Sequence, residues 1–431
     1  MIKPKLLSLI KDKNKRNFFI YGLGQAFNLL SPLIVAPYIV SVCKEEGLGK
    51  VGLGFALSLF LILIVDYAFD VKGTKQVAEN RDNRDNLEKT LSTTIFTKIL
   101  LFGISLLIAL LLVGFVPFFS QEKTLFLFSL SIVFAQVFNP VWFLQGIEEF
   151  PLVSMINIAS KILYVVLVYV FIAHKGDYIW VNLFLGTSSF IFYVSGLLII
   201  KKKFGFRVIL PAFHEVRHIL KTDFSFCVSQ LFLSARQLSP LVLTGYFLGF
   251  YVAGQYKILE QILTLFRTFI QVFLKFFYPS VCYKIIKDLR QGFSYWKKYT
   301  LFNIVFVCCM LCIIFVFSEN ILRFFHLSES SVQQLNLVFR ISLLVSMMMA
   351  VSIPLEQLMF VANRNKIYIR ITIFVTVTNI SLIFILINQL YLLGIIISLI
   401  VSEVLFISLY FHNSYRYIKD KINNESSTVQ V

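Results

Sequence analysis

The sequence predicts an all-α polytopic membrane protein, with about twelve transmembrane helices in two six-helix halves around a central cavity. Three observations predict it. The chain of 431 residues is 58% hydrophobic and only 15% charged, with mean hydropathy +0.80, whereas a soluble domain carries about 25% charged residues. A water-soluble fold of this length cannot hide so much apolar surface, because its exterior needs polar groups. Apolar runs of spanning length, about 20 residues, follow one another along the whole chain. A basic linker divides those runs into six and six.

The runs fall at 17–41, 50–69, 91–116, 124–144, 152–173, 178–200, 223–248, 252–279, 299–318, 332–361, 370–389 and 391–411. Each is read as helix, since an open sheet leaves its backbone unsatisfied in lipid. The N-terminal half covers 1–200. The linker, 201–222, holds Lys201, Lys202, Lys203, Arg207, Arg217 and Lys221. The C-terminal half covers 223–431 and ends in a polar tail. Leu30-Ser31-Pro32-Leu33 returns as Leu238-Ser239-Pro240-Leu241, and Tyr38 and Tyr246 follow at the same distance, an offset of 208 residues. Pro140 and Pro354 recur late in spans four and ten. With the central linker, this echo favours two parallel repeats, a transporter arrangement.

The net charge is +17, from 40 Lys and Arg against 23 Asp and Glu. In a soluble protein that excess points to nucleic acid. Here the basic residues sit in short loops between apolar runs, so the expected partners are membrane lipids and not nucleic acid. With the N-terminus inside, the cytoplasmic segments hold 28 Lys and Arg, and the opposite loops, 42–49 (with Lys50 at its edge), 117–123, 174–177, 249–251, 319–331 and 390, hold 5. The positive-inside rule then puts both termini in the cytoplasm. The apolar run after residues 1–16 is too long for a cleavable signal peptide and has no small-residue cleavage site.

Soluble-enzyme chemistry is not legible. There is no Gly-rich phosphate loop, no nucleotide-binding domain and no metal-ligand spacing, so neither enzyme activity nor a cofactor is expected. Cys308, Cys309 and Cys312 lie within a lipid-length run with no His or carboxylate nearby, and read as reduced thiols.

Ionisable groups in hydrocarbon cost roughly 2.5–3.5 kcal/mol each on insertion scales and normally face a bundle interior or a wet cavity. Asp66, Lys98, Lys161, Arg236, Lys257, Glu260, Arg267, Lys275, Arg340, Glu356 and Glu403 lie inside or at the edge of spans. Those near span ends, such as Lys98 and Lys275, can snorkel to the interface. In span eight, Lys257, Glu260, Gln261, Thr264, Arg267, Thr268, Gln271 and Lys275 recur every three or four residues and form one polar stripe. Such a stripe lines an aqueous cavity or is sealed against neighbouring helices. Span one has a milder face of Tyr21, Gln25, Asn28 and Ser31 beside Pro32. Span seven has Gln230, Ser234 and Gln237, with Ser229, Arg236 and Pro240 adjoining. In the cavity reading, Arg236, Lys257, Arg267 and Arg340 outnumber Glu260 and Glu356. An unmatched guanidinium awaits an anion, and Arg binds phosphate through two parallel N–H bonds. The candidate substrate-binding set is therefore Arg236, Lys257, Arg267, Arg340, Asn28, Gln25 and Gln271. Pairing within the protein, for instance Lys257 with Glu260, is the alternative.

Two stretches resemble the polysaccharide flippases of the multidrug/oligosaccharidyl-lipid/polysaccharide exporter superfamily. The first runs from Gly47-Leu48-Gly49 through Val65-Asp66-Tyr67-Ala68-Phe69 to Gly73-Thr74-Lys75-Gln76-Val77-Ala78-Glu79-Asn80-Arg81-Asp82. It is similar to that family's Asp-aromatic-Gly-Phe turn and Ala-Asn-Arg-Asp-like loop, with Ala68 in place of Gly. The second, Asn139-Pro140-Val141-Trp142-Phe143-Leu144-Gln145-Gly146-Ile147-Glu148, is similar to its Pro-x-Trp-x-x-Gln-Gly-x-Glu.

The resemblance implies flipping of an undecaprenyl-diphosphate-linked oligosaccharide, an O-antigen or capsule repeat unit, across the bacterial inner membrane by alternating access. A polysaccharide polymerase and chain-length proteins would be its partners. It also implies ion-gradient coupling, for which Asp66, Glu260 and Glu356 are equal candidates. Two rivals stay open: a drug exporter of the same superfamily, and a membrane polymerase or ligase of lipid-linked sugars. Cationic drugs need carboxylates in the cavity, and a polymerase or ligase needs a large outer loop, whereas loop 319–331 is the longest here.

Overall fold

In lipid, each backbone N–H and C=O must be satisfied within its own segment, and every long apolar run is accordingly a helix. The computed structural model describes residues 13–206, 209–362 and 364–416; the basic residues up to 12, Arg207 and the tail from 417 lie outside the described residues. The helices are α1 (Lys13–Asp66), α2 (Thr74–Glu79), α3 (Arg84–Phe115), α4 (Pro117–Ser120), α5 (Lys123–Val137), α6 (Val141–Gly146), α7 (Phe150–Phe171), α8 (Tyr178–Phe204), α9 (Phe213–Lys287), α10 (Leu289–Val316), α11 (Ser318–Phe324), α12 (Glu329–Val361) and α13 (Asn365–Tyr410). Among the described residues, nine helical stretches are long and apolar enough to cross a membrane. Three of them contain a residue outside helical geometry: Lys44 (φ 63°) in α1, Gly249 (φ 84°) in α9 and Tyr391 (φ 48°) in α13. These breaks fall at the predicted loops 42–49 and 249–251 and at the junction of the last two predicted spans. The nine stretches thus contain the twelve predicted segments. The protein is an all-helical multi-pass membrane protein.

The side-chain pattern of α3 is that of a helix solvated by lipid. Its buried face carries Thr90, Thr94, Thr97, Lys98, Ser105 and Ala109, while Leu107, Leu111 and Phe115 stand exposed. A soluble helix would be the reverse. In a membrane, small and polar residues make the helix contacts, because lipid tails solvate leucine as well as a protein core does.

The chain divides into two compact units, Met1–Ser234 and Ala235–Val431. In the first unit, α5 and α8 approach closely at Gly186, where an added Cβ would come 2.1 Å from Ser131 Oγ. Asn182 of α8 donates to Ser129 Oγ at 2.8 Å and to Val51 O at 3.0 Å, and Ser58 Oγ donates to Ser129 O at 2.8 Å. One amide thus ties α8 to α5 and α1. In the second unit, Gln357 of α12 donates to Leu274 O of α9 at 3.1 Å and accepts from the Tyr299 hydroxyl of α10. Asn379 and Ser398, 3.4 Å apart, link the two segments of α13.

Candidate functional site

In the second unit, α9, α12 and α13 enclose a narrow cleft whose polar lining includes Arg236, Gln237, Tyr256, Glu260, Arg267 and Glu403. Its free space admits roughly one water molecule. Arg236 Nη2 donates to Glu403 Oε1 at 2.6 Å, and Ser352 Oγ donates to Glu403 Oε2 at 2.6 Å. Both carboxylate oxygens are therefore engaged, and Glu403 is 2% exposed. The Arg236 guanidinium also lies over Phe406, 4.2 Å from the ring centroid, a cation–π contact.

The span-eight stripe divides in the structure. Glu260 and Arg267 face the cleft, and Lys257 Nζ sits 2.7 Å from Glu260 Oε2. Gln271, one turn beyond Arg267, is exposed. Arg267 makes no hydrogen bond or ion pair among the described residues. The remaining candidates lie elsewhere. Arg340 Nε donates to Ser318 Oγ at 2.9 Å beside Phe315. Glu356 accepts from the Tyr368 hydroxyl at 3.0 Å. Neither lines the cleft. Gln25 and Asn28 are half-buried in α1 of the first unit. The side chains of Tyr21 and Ser229 lie outside the described residues.

Two residues of the sequence list gain weight. Glu403, absent from the sequence-based charge balance, is the counter-charge of Arg236. Lys161, at mid-length of α7, has no hydrogen bond or ion pair among the described residues. α7 runs parallel to α1: Gly24 packs on Ser154, and Tyr38 stacks on Tyr169 with centroids 4.2 Å apart. This register sets Lys161 at the depth of Ser31, whose buried hydroxyl also has no partner. Helical periodicity marks which residues share a face; it does not report which of them lack a partner.

Asp66 lies in a different environment. Lys98 Nζ is 2.7 Å from its Oδ1, and Gln136 Nε2 donates to its Oδ2 at 2.7 Å. The Lys98 side chain is fully buried, so it is an internal ion-pair partner and does not snorkel.

The two stretches that carry the family resemblance pack against each other. Thr74 Oγ1 donates to Trp142 O at 3.0 Å, Arg81 Nε donates to Gly146 O at 2.6 Å, and Arg81 Nη1 lies 2.9 Å from Glu148 Oε1. Gly146 has no room for a side chain, since a Cβ there would come 2.5 Å from Val77 Cγ1. Ala68 has φ −144°, open to any L residue, so the departure from Gly costs the turn nothing. Nearby, the start of α9, itself within the first unit, is held in place. Tyr67 donates to Leu220 O at 2.6 Å, Lys89 lies 2.6 Å from Glu215, and Lys72 pairs with Asp223. Lys89 holds the Glu215 carboxyl below the usual carboxylate range.

The profile of the family described as "Polysaccharide biosynthesis protein" matches residues 15–282. A Shigella dysenteriae protein named "Putative O-antigen transporter" is 23% identical over 399 residues, 91% of this chain and 98% of its own. Among solved structures, an inward-facing multidrug resistance MATE family transporter of the MOP superfamily aligns with TM-score 0.72 at 16% identity, over 91% of this chain and 96% of its own. The lipid II flippase MurJ in an inward closed conformation aligns with TM-score 0.69 at 15% identity, over 92% and 86%. At such identities these two structures show a shared fold.

Proposed function

The chain belongs to the polysaccharide biosynthesis protein family, and on that premise we propose that it is a flippase that moves undecaprenyl-diphosphate-linked oligosaccharide repeat units across the bacterial inner membrane. The observation that carries this reading is Arg267: a guanidinium at mid-membrane, on a polar stripe, with no carboxylate bonded to it. A charge of this kind inside a span is retained for use, and a diphosphate is an anion that two arginines can grip through paired N–H bonds. Arg267 and Arg236 face one cleft, and Lys161 adds a further unpaired cation in the first unit. The near full-length similarity to a protein named as an O-antigen transporter supports a sugar-linked cargo. In this reading both termini are cytoplasmic, the glycan is handed to a polymerase and chain-length proteins on the outer side, and Asp66, Glu260 or Glu356 couples the cycle to an ion gradient.

The test is genetic and chemical. Removing the protein should make a lipid-linked oligosaccharide accumulate on the inner leaflet, and restoring it should return the sugar to the cell surface. Normal surface polysaccharide without the protein, combined with heightened sensitivity to cationic drugs, would favour the drug-exporter reading.

A further inference from the structure

Resting on that reading, we propose that Glu403 is a displaceable internal counter-anion, occupying the Arg236 guanidinium in the substrate-free state and giving way to the anionic head group when it binds. Glu403 stands where a phosphate oxygen would stand. Its Oε1 takes the Arg236 Nη2 hydrogen bond at 2.6 Å, and its Oε2 is held by Ser352 Oγ at 2.6 Å. The cleft around it has space for roughly one water, so a phosphate cannot be added beside this pair; it has to replace one member. Arg236 is held over Phe406, and the carboxylate is the smaller group. The neighbouring charges set the direction of the exchange. Arg236, Arg267 and Glu260 face Glu403 from α9, and Glu356 lies beyond Ser352 on α12.

Once the head group takes Arg236, Glu403 is left without its bonded cation. Breaking that pair offsets part of what the anion gains, so the wild-type protein binds it less tightly than an unoccupied Arg236 would. Glu403 acts through Arg236 and is a positioning residue for it.

The test uses the full-length protein in detergent and a short-chain isoprenyl diphosphate–N-acetylglucosamine as probe. The wild-type protein should bind this probe measurably by calorimetry. Glu403→Gln should bind it about tenfold more tightly, a gain that a merely structural role for Glu403 would not produce. Ser352→Ala, which loosens Glu403 without removing it, should shift affinity the same way by less, and serves if the glutamine variant does not fold. Arg236→Ala should weaken binding about tenfold. Arg236-dependent binding at wild-type affinity in both Glu403→Gln and Ser352→Ala would overturn the role of Glu403 and leave the flippase reading standing. Equal binding by wild type and Arg236→Ala would overturn the exchange at Arg236, and equal binding by Arg267→Ala as well would overturn the anion site and the flippase reading with it.

Discussion

Arg267 separates two kinds of electrostatic recognition. If it clamps a phosphate with two N–H bonds, an ammonium cannot reproduce the fork, and Arg267→Lys should lose nearly as much surface polysaccharide as Arg267→Ala at matched protein levels. If it supplies only a positive field to a wet cleft, Lys should rescue. Full activity of the alanine variant would remove Arg267 from the site. Lys161 gives a parallel case in the first unit: Lys161→Ala should lower export, while Lys161→Arg, which keeps the charge at the depth of Ser31, should retain most of it. Both residues were legible in the sequence as charges inside spans. Their surroundings were not. Arg236 and Glu403 are 167 positions apart, and no local spacing reveals that one neutralises the other. The sequence-based excess of positive charge therefore overstated the cleft, where two arginines face two glutamates.

At the scale of elements, the family-like stretches act as a brace between α2 and α6. Gly146→Ala should destabilise the protein by roughly 1–3 kcal/mol, lowering its melting temperature in detergent, because the new methyl would meet Val77 and the Thr74 carbonyl oxygen at 3.0 Å. Arg81→Ala removes the hydrogen bond to Gly146 and the pair with Glu148, and should slow transport more than it alters substrate affinity. Unchanged rates at normal protein levels would end that idea. The Asp66–Lys98 pair poses a sharper question. Lys98→Ala strands a carboxylate whose other partner is Gln136, at a cost of about 3–5 kcal/mol; adding Asp66→Asn should recover much of it. If the double variant also transports normally, Asp66 is a structural anchor, and ion coupling passes to Glu260 or Glu356. The helices themselves were readable because lipid enforces them: runs of spanning length had no other stable form. The short helices Pro117–Ser120 and Ser318–Phe324 were not, since four to seven residues hold too little periodicity to register.

For the whole molecule, the proposed orientation rests on charge. With the N-terminus inside, 28 Lys and Arg fall on one side and 5 on the other, and anionic lipid with the membrane potential retains basic loops in the cytoplasm. The helix breaks at Lys44, Gly249 and Tyr391 bear on the same question. Each reverses the chain within a very short loop, so an error of one crossing would have to displace a whole hairpin and expose one of the basic segments 70–90, 201–222 or 280–298. The contact between Lys89 and Glu215, both within the first unit, ties the linker to α3. Its contribution is fully present above the ordinary Glu range, because Lys89 lowers the folded-state pKa of Glu215, and it is lost as pH falls through that lowered value. At neutral pH the linker is therefore held to α3. Single cysteines placed in 42–49, 117–123, 174–177, 249–251 and 319–331 of a cysteine-free variant should react with a membrane-impermeant thiol reagent on intact spheroplasts. Cysteines in 70–90, 201–222 and 280–298 should react only after permeabilisation. Labelling of 201–222 from outside would reverse the orientation, and with it the direction of transport proposed here.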